Sequence, residues 1–125
     1  MNADKLAQFA GQEYLNFESY RKNGQAITTP MWFAEADGLL FVYTLADAAK
    51  VSRVRNNPRV RVAPCSLRGG LKGDWVEATA TILDKEGADR GHALLRKKYG
   101  WKKRLGDLFS RWRRRTRVVM AIRLD

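Results

Sequence analysis

The chain has 125 residues, room for one domain around a single core, and its 45% hydrophobic and 30% charged residues suit a folded rather than a disordered protein. A single cysteine, Cys65, excludes an internal disulfide framework and a cysteine-based zinc cluster. The net charge of +11 is not spread over the chain: residues 1–95 hold 12 Lys/Arg and 11 Asp/Glu, whereas residues 96–117 hold 11 Lys/Arg against Asp107 alone, which argues against nucleic acid as the partner of the whole domain.

The opening stretch MNADKLAQFAGQEYLNF lacks a charged region followed by an apolar one, and no apolar run approaches membrane-spanning length. A soluble, cytoplasmic protein without a membrane span is expected. Residues 3–11 read as a short amphipathic helix with Leu6 and Phe9 on one side and Gly11 as its stop. Tyr14 to Tyr20 is a first strand, and the Asn23-Gly24 pair after it is a strong hairpin signal. A second strand is predicted over Ala26 to Ala36, with an edge or bulge at Pro30, which has no N–H for a ladder. Backbone exposed at such a place makes Thr28 to Trp32 a candidate ligand wall. Asp37-Gly38 turns the chain into a third strand, so these strands form a meander.

The rest of the chain is organised around Leu39 to Pro58. Leu39 to Tyr43 is an apolar strand, Thr44 ends it, and Asp47 stands where a helix N-cap would stand ahead of Ala48, Ala49 and Lys50. Val51 and Val54 give the helix its apolar stripe, and Pro58 closes it. A strand feeding a helix N-terminus, with a hydroxyl at the junction and a lysine in the first turn, suits an anion, above all phosphate. An ordinary strand–helix corner with a solvated lysine fits the same residues.

Arg59 to Cys65 alternates arginine with valine as a strand with one solvated face, and Leu67 to Gly73 is a loop. Asp74 to Leu83 alternates Val76, Ala78, Ala80 and Ile82 against Trp75, Glu77, Thr79 and Thr81. Lys85 to about Tyr99 is helical, with Ala88, Gly91, Leu94 and Leu95 inside. A second helical piece runs from Trp101 to Trp112, then a last strand from Arg117 to Leu124 with Val118, Met120, Ile122 and Leu124 facing in. The fold class is therefore mainly β with α insertions. Six mostly antiparallel strands curl into a barrel or sandwich, with a short helix after strand three and a helical segment before the last strand.

No catalytic residue or metal-ligand set emerges. His92 is the lone histidine, Cys65 reads as a core thiol, and no Walker A or GxGxxG sequence is present. An enzyme of this composition needs a bound cofactor to carry its chemistry. Trp32 and Trp75, each on a strand, could flank a planar ring or cover a core edge. The basic run with Tyr99, Trp101, Phe109 and Trp112 could grip nucleic acid, lie on an anionic membrane, or be a packed helix with a solvated face.

The ordered set TTPMWF, a DG turn, LLFVYTLADAAKVSRVRNNPRVRVAPCSLRGG and GDWVEATATIL resembles the pyridoxamine-phosphate-oxidase-like (PPOX class) split β-barrel family. Within it, the sequence is most similar to flavin/deazaflavin oxidoreductases that depend on coenzyme F420. The resemblance covers about residues 10–125. It implies a six-stranded antiparallel split barrel of the FMN-binding type over the single domain 1–125. It also implies a homodimer with the cofactor in a groove between subunits and a small planar or conjugated substrate that receives hydride from reduced F420. An FMN-binding oxidoreductase of the same fold and a non-catalytic cofactor-binding protein are the alternatives; no nucleic acid is expected. Carried onto this sequence, Thr28, Thr29, Pro30, Met31 and Trp32 run beside the cofactor ring. Tyr43, Thr44, Ala49 and Lys50 hold its phosphate, Arg53 reaches the phosphate or its linker, and Trp75 and Glu77 approach from the partner subunit or line the floor. Many relatives carry arginine where this chain has Ala48, which leaves more to Lys50 and to backbone N–H groups. The cationic 96–117 segment would then attract an acidic coenzyme tail.

Overall fold

The structure, a computed structural model, describes residues 2–46, 48–100 and 117–125. After a short helix α1 (Asn2–Ala7), strands β1 (Tyr14–Tyr20) and β2 (Ala26–Trp32) form a hairpin in register from Tyr14 opposite Trp32 to Tyr20 opposite Ala26. Its turn is tight because Gly24, at φ 87°, lets its N–H reach the Arg21 carbonyl at 2.8 Å. Strands β3 (Ala34–Ala36) and β4 (Leu39–Leu45) are joined by Asp37 and Gly38, both at positive φ, the mirror-image turn that an Asp-Gly pair favours. Helix α2 (Ala49–Asn56), strands β5 (Arg59–Cys65) and β6 (Val76–Ile82), helix α3 (Lys85–Tyr99) and strand β7 (Arg117–Leu124) complete the described chain.

The strands form one antiparallel sheet in the order β2-β1-β5-β6-β7-β4-β3, curled into a half-barrel. The described residues hold seven strands, not the six expected, because the segment 26–36 is two strands. It breaks at Phe33. Up to Trp32 it pairs with β1 at one edge of the sheet, and from Ala34 it pairs with β4 at the other. One stretch of chain thus supplies both edges, so the curl follows from connectivity. Pro30 stands in edge strand β2, where its missing N–H costs no ladder bond.

Inside the curl, Leu15, Phe17, Met31, Leu40, Val42, Val60, Val62, Met120 and Ile122 make one core, joined by Phe9 beyond α1 and Val54 of α2. The alternation read for β6 holds: Val76, Ala78 and Ala80 are buried while Glu77 and Thr81 are exposed. β7 departs from the simple reading, since Val119 and Ala121 are buried as well as Met120 and Ile122. The reason is α3, which covers the outer face of β3, β4 and β7 and packs on Phe41, Val119 and Ala121. Asp84 caps α3 by accepting the Gly87 N–H at 3.0 Å, and Gly91 lets the helix approach the sheet. A Cβ at Gly91 would stand 2.5 Å from Cγ1 of Val119, a fully buried side chain. The second helical piece expected from Trp101 to Trp112 and the cap expected at Asp47 lie outside the described residues; the N-cap position of α2 is Ala48.

On the outer face of β1 sits a buried carboxylate. Glu18 is 6% exposed and accepts from Arg61 Nε at 2.7 Å, the Tyr20 hydroxyl at 3.1 Å and the Thr28 hydroxyl at 3.2 Å. Burial opposes ionisation, but the hydrogen bonds and the Arg61 charge outweigh it and hold the carboxyl below its ordinary value.

Two measurements test this packing. Gly91→Ala improves intrinsic helix propensity by about 1 kcal/mol yet overpacks Val119 at a cost of about 1–3 kcal/mol. The urea midpoint should therefore fall with the slope unchanged. Because the folded-state pKa of Glu18 lies below its unfolded value of 4.5, its contribution is complete above that pH and is lost as the pH falls further. A urea-midpoint series from pH 6 to about 3 should show Glu18→Gln with a flatter acid limb than the wild type.

Candidate functional site

β4 leaves the sheet at Leu45 and enters α2 through a turn in which the Ala48 N–H donates to the Leu45 carbonyl at 3.0 Å. Ala48 offers no side-chain cap, so the first N–H groups of α2 keep no side-chain acceptor from that position. Beside this corner is a cavity of about 310 Å³, lined by Pro30, Met31 and Trp32 of β2, Tyr43, Thr44 and Leu45 of β4, Lys50 of α2 and Arg117 of β7. It lies at the seam of the curled sheet, where β2 comes near β4.

Its electrostatics are one-sided. Lys50 is half-buried; burial first, and then Arg53, pull its pKa below the ordinary lysine value, and no carboxylate answers it among the described residues. Arg53, one turn further along α2, donates from Nε to the Ser19 hydroxyl at 2.7 Å, which anchors the helix on β1. Arg117 lies 5.5 Å from the centre of the Tyr43 ring and hydrogen-bonds to its hydroxyl. Burial raises the Tyr43 pKa although Arg117 opposes it, so the phenol remains a neutral donor at physiological pH. Two cations, two hydroxyls and a helix N-terminus without a side-chain cap from Ala48 thus converge on one cavity, a combination that stabilises a bound anion.

The apolar wall is held from behind. The Trp32 ring stacks on Tyr99 of α3 with centroids 4.6 Å apart and planes 14° apart. Tyr43 meets His92 of α3 at 5.6 Å, so the lone histidine is packed against the site's tyrosine.

Of the residues that the sequence points to, Pro30, Met31, Trp32, Tyr43, Thr44 and Lys50 meet in this cavity. Ala49 opens α2 beside Lys50, and Arg53 stands on the same helix. Thr28 bonds Glu18, while the Thr29 hydroxyl is buried with no partner among the described residues. Trp75 and Glu77 line a different cavity of about 480 Å³ with Asp4, Lys5 and Gln8. Trp75 there faces the Arg61 guanidinium at 4.8 Å, and Glu77 pairs with Arg59 at 3.7 Å. Sequence reasoning missed Leu45 and Arg117 as pocket residues. Arg117 reads as the last member of a charge run; its signal is the β4–β7 register, which sets it opposite Leu45. Cys65 is buried, and burial pushes its thiol pKa up, as befits a core thiol.

No family model matches the chain. No curated protein matches it either. Solved structures do. A candidate pyridoxamine 5'-phosphate oxidase from Listeria innocua superposes with a TM-score of 0.69 at 16% identity, over 99% of this chain and 93% of that one. An F420 reductase superposes with a TM-score of 0.61 at 15% identity, over 95% of this chain and 91% of that one. An FAD-binding protein from Mesorhizobium loti gives 0.65 at 18% identity, over 100% and 88% of the two chains. At these identities the likeness establishes the fold.

Proposed function

We propose that this chain, which has the split-barrel fold of pyridoxamine-phosphate-oxidase-like proteins, is a flavin- or deazaflavin-binding oxidoreductase, and within that class a reductase that uses reduced coenzyme F420. The observation that carries the reading is the start of α2, which has no side-chain cap from Ala48, with Lys50 unanswered by any carboxylate among the described residues and the wall from Pro30 to Trp32 beside it. Lys50, the Thr44 hydroxyl and the N–H groups of Ala49 and Lys50 bind the phosphate, and Arg53 supports them electrostatically. Thr28 to Trp32 runs along the ring, with Thr29 as a buried hydroxyl able to answer a polar atom.

The cavity is at the small end of the roughly 300–1,000 Å³ typical of ligand pockets. A second copy of the chain would complete it, bringing Trp75 and Glu77 to the ring from their own cavity; a homodimer is part of this proposal. When bound, the reduced deazaflavin supplies a hydride to a small planar or conjugated substrate. The chain's part is to orient ring and substrate and to keep water from them with Met31, Trp32 and Tyr43. An FMN-binding oxidoreductase is the second reading, favoured by the same anion site and by the likeness to an FAD-binding protein.

Fluorescence titration of the protein with F420 and with FMN tests the proposal. Saturable F420 binding, tighter than FMN, is expected, with a loss of about tenfold or more, near 1.4 kcal/mol, in Lys50→Ala. FMN binding tighter than F420 would transfer the assignment to the second reading. Binding of neither would remove the redox reading.

A further inference from the structure

We infer that Tyr99, at the end of α3, is a positioning residue that fixes Trp32 as the wall of the pocket, and that it thereby governs how tightly a planar ring is held there. This rests on reading the cavity as a cofactor site. Phe33 stands between β2 and β3, where its backbone N–H and carbonyl have no ladder to join, and both are answered from the last turn of α3. The Phe33 N–H donates to the Tyr99 hydroxyl oxygen at 2.9 Å. The hydroxyl's own proton has two carbonyls in reach, Glu13 at 2.6 Å and Phe33 at 2.8 Å. The Lys98 ammonium donates to the same Phe33 carbonyl at 2.8 Å and sits 3.5 Å from the centre of the Phe33 ring.

These bonds fix the backbone one residue after Trp32, and the Tyr99 ring covers one face of its indole. Trp32 is thus held twice, through the main chain and through the ring. Tyr99 itself is 8% exposed and does not line the cavity, so it acts through Trp32 and not by touching a ligand. The anion-binding groups, in contrast, stand on β4, α2 and β7 and owe nothing to Tyr99 hydrogen bonds. Ring affinity and phosphate affinity should therefore separate.

The test compares wild type, Tyr99→Phe and Tyr99→Leu. Its readouts are binding of FMN and F420, binding of inorganic phosphate, and the indole N–H resonance of Trp32, assigned through Trp32→Phe. Tyr99→Leu is expected to weaken the ring-bearing ligands by about tenfold while leaving phosphate within about twofold. Tyr99→Phe, which keeps the stack, should recover much of the loss, and the Trp32 resonance should move in Tyr99→Leu without any ligand. If Tyr99→Leu does not fold, Tyr99→Met, which also lacks the ring and the hydroxyl, is judged by the same ratio and by its own Trp32 shift. An unchanged ratio of ring to phosphate affinity, or an unmoved Trp32 resonance, overturns the inference. If the wild type binds neither FMN nor F420, the cofactor reading fails, and the Trp32 resonance alone decides the positioning.

Discussion

The main-chain N–H and carbonyl of Phe33 belong to neither of the ladders that flank them. Left unpaired in the interior, each would cost about 1–3 kcal/mol. Tyr99 and Lys98 remove that cost, and with it the obstacle to letting one strand pass from one sheet edge to the other. Much else depends on this corner. The curl of the sheet needs β2 and β3 at opposite edges, and the enclosed core needs the curl. The pocket, in turn, is the seam that the corner leaves between β2 and β4.

The packing of α3 depends on the same arrangement. A helix that must deliver Tyr99 to Phe33 has to lie close on β3, β4 and β7, and Gly91 against Val119 provides the close approach. The opposite half of the sheet is treated differently. Its outer face carries the Glu18–Arg61 ion pair, with Tyr20 and Thr28 completing the carboxylate's hydrogen bonds. A buried pair contributes little net stability unless its remaining lone pairs are answered, which these hydroxyls do. The protein thus has one outer face closed by a helix and one bearing polar groups. In the proposed dimer the polar half is where a partner's Trp75 and Glu77 would come from.

Much of this was legible in the sequence, and the features that were not share a common cause. Period-two alternation located β5, β6 and β7, and Asn23-Gly24 and Asp37-Gly38 located both tight turns, because those signals are local. The strand-to-helix corner that leads from β4 into α2 was legible for the same reason. The break at Phe33 was not. Nothing in ITTPMWFAEA marks the change of partner, since Pro30 marks an edge strand and not its end. The partner that permits the break, Tyr99, is 66 residues away. Arg117 was hidden in the same manner, since its membership of the pocket depends on β7 pairing with β4. Residues whose role depends on distant pairing look like charge or core until the topology is known.

The central claim is that a phosphate-bearing planar cofactor sits at the start of α2 and along Trp32. Backbone and indole NMR shift mapping of the isotope-labelled protein on addition of F420, and separately of FMN, tests it most directly. The predicted result is that the Ala49 and Lys50 amides and the Trp32 indole N–H move together and saturate at one ligand concentration. Saturating shifts elsewhere, with Ala49, Lys50 and Trp32 unmoved, would contradict it.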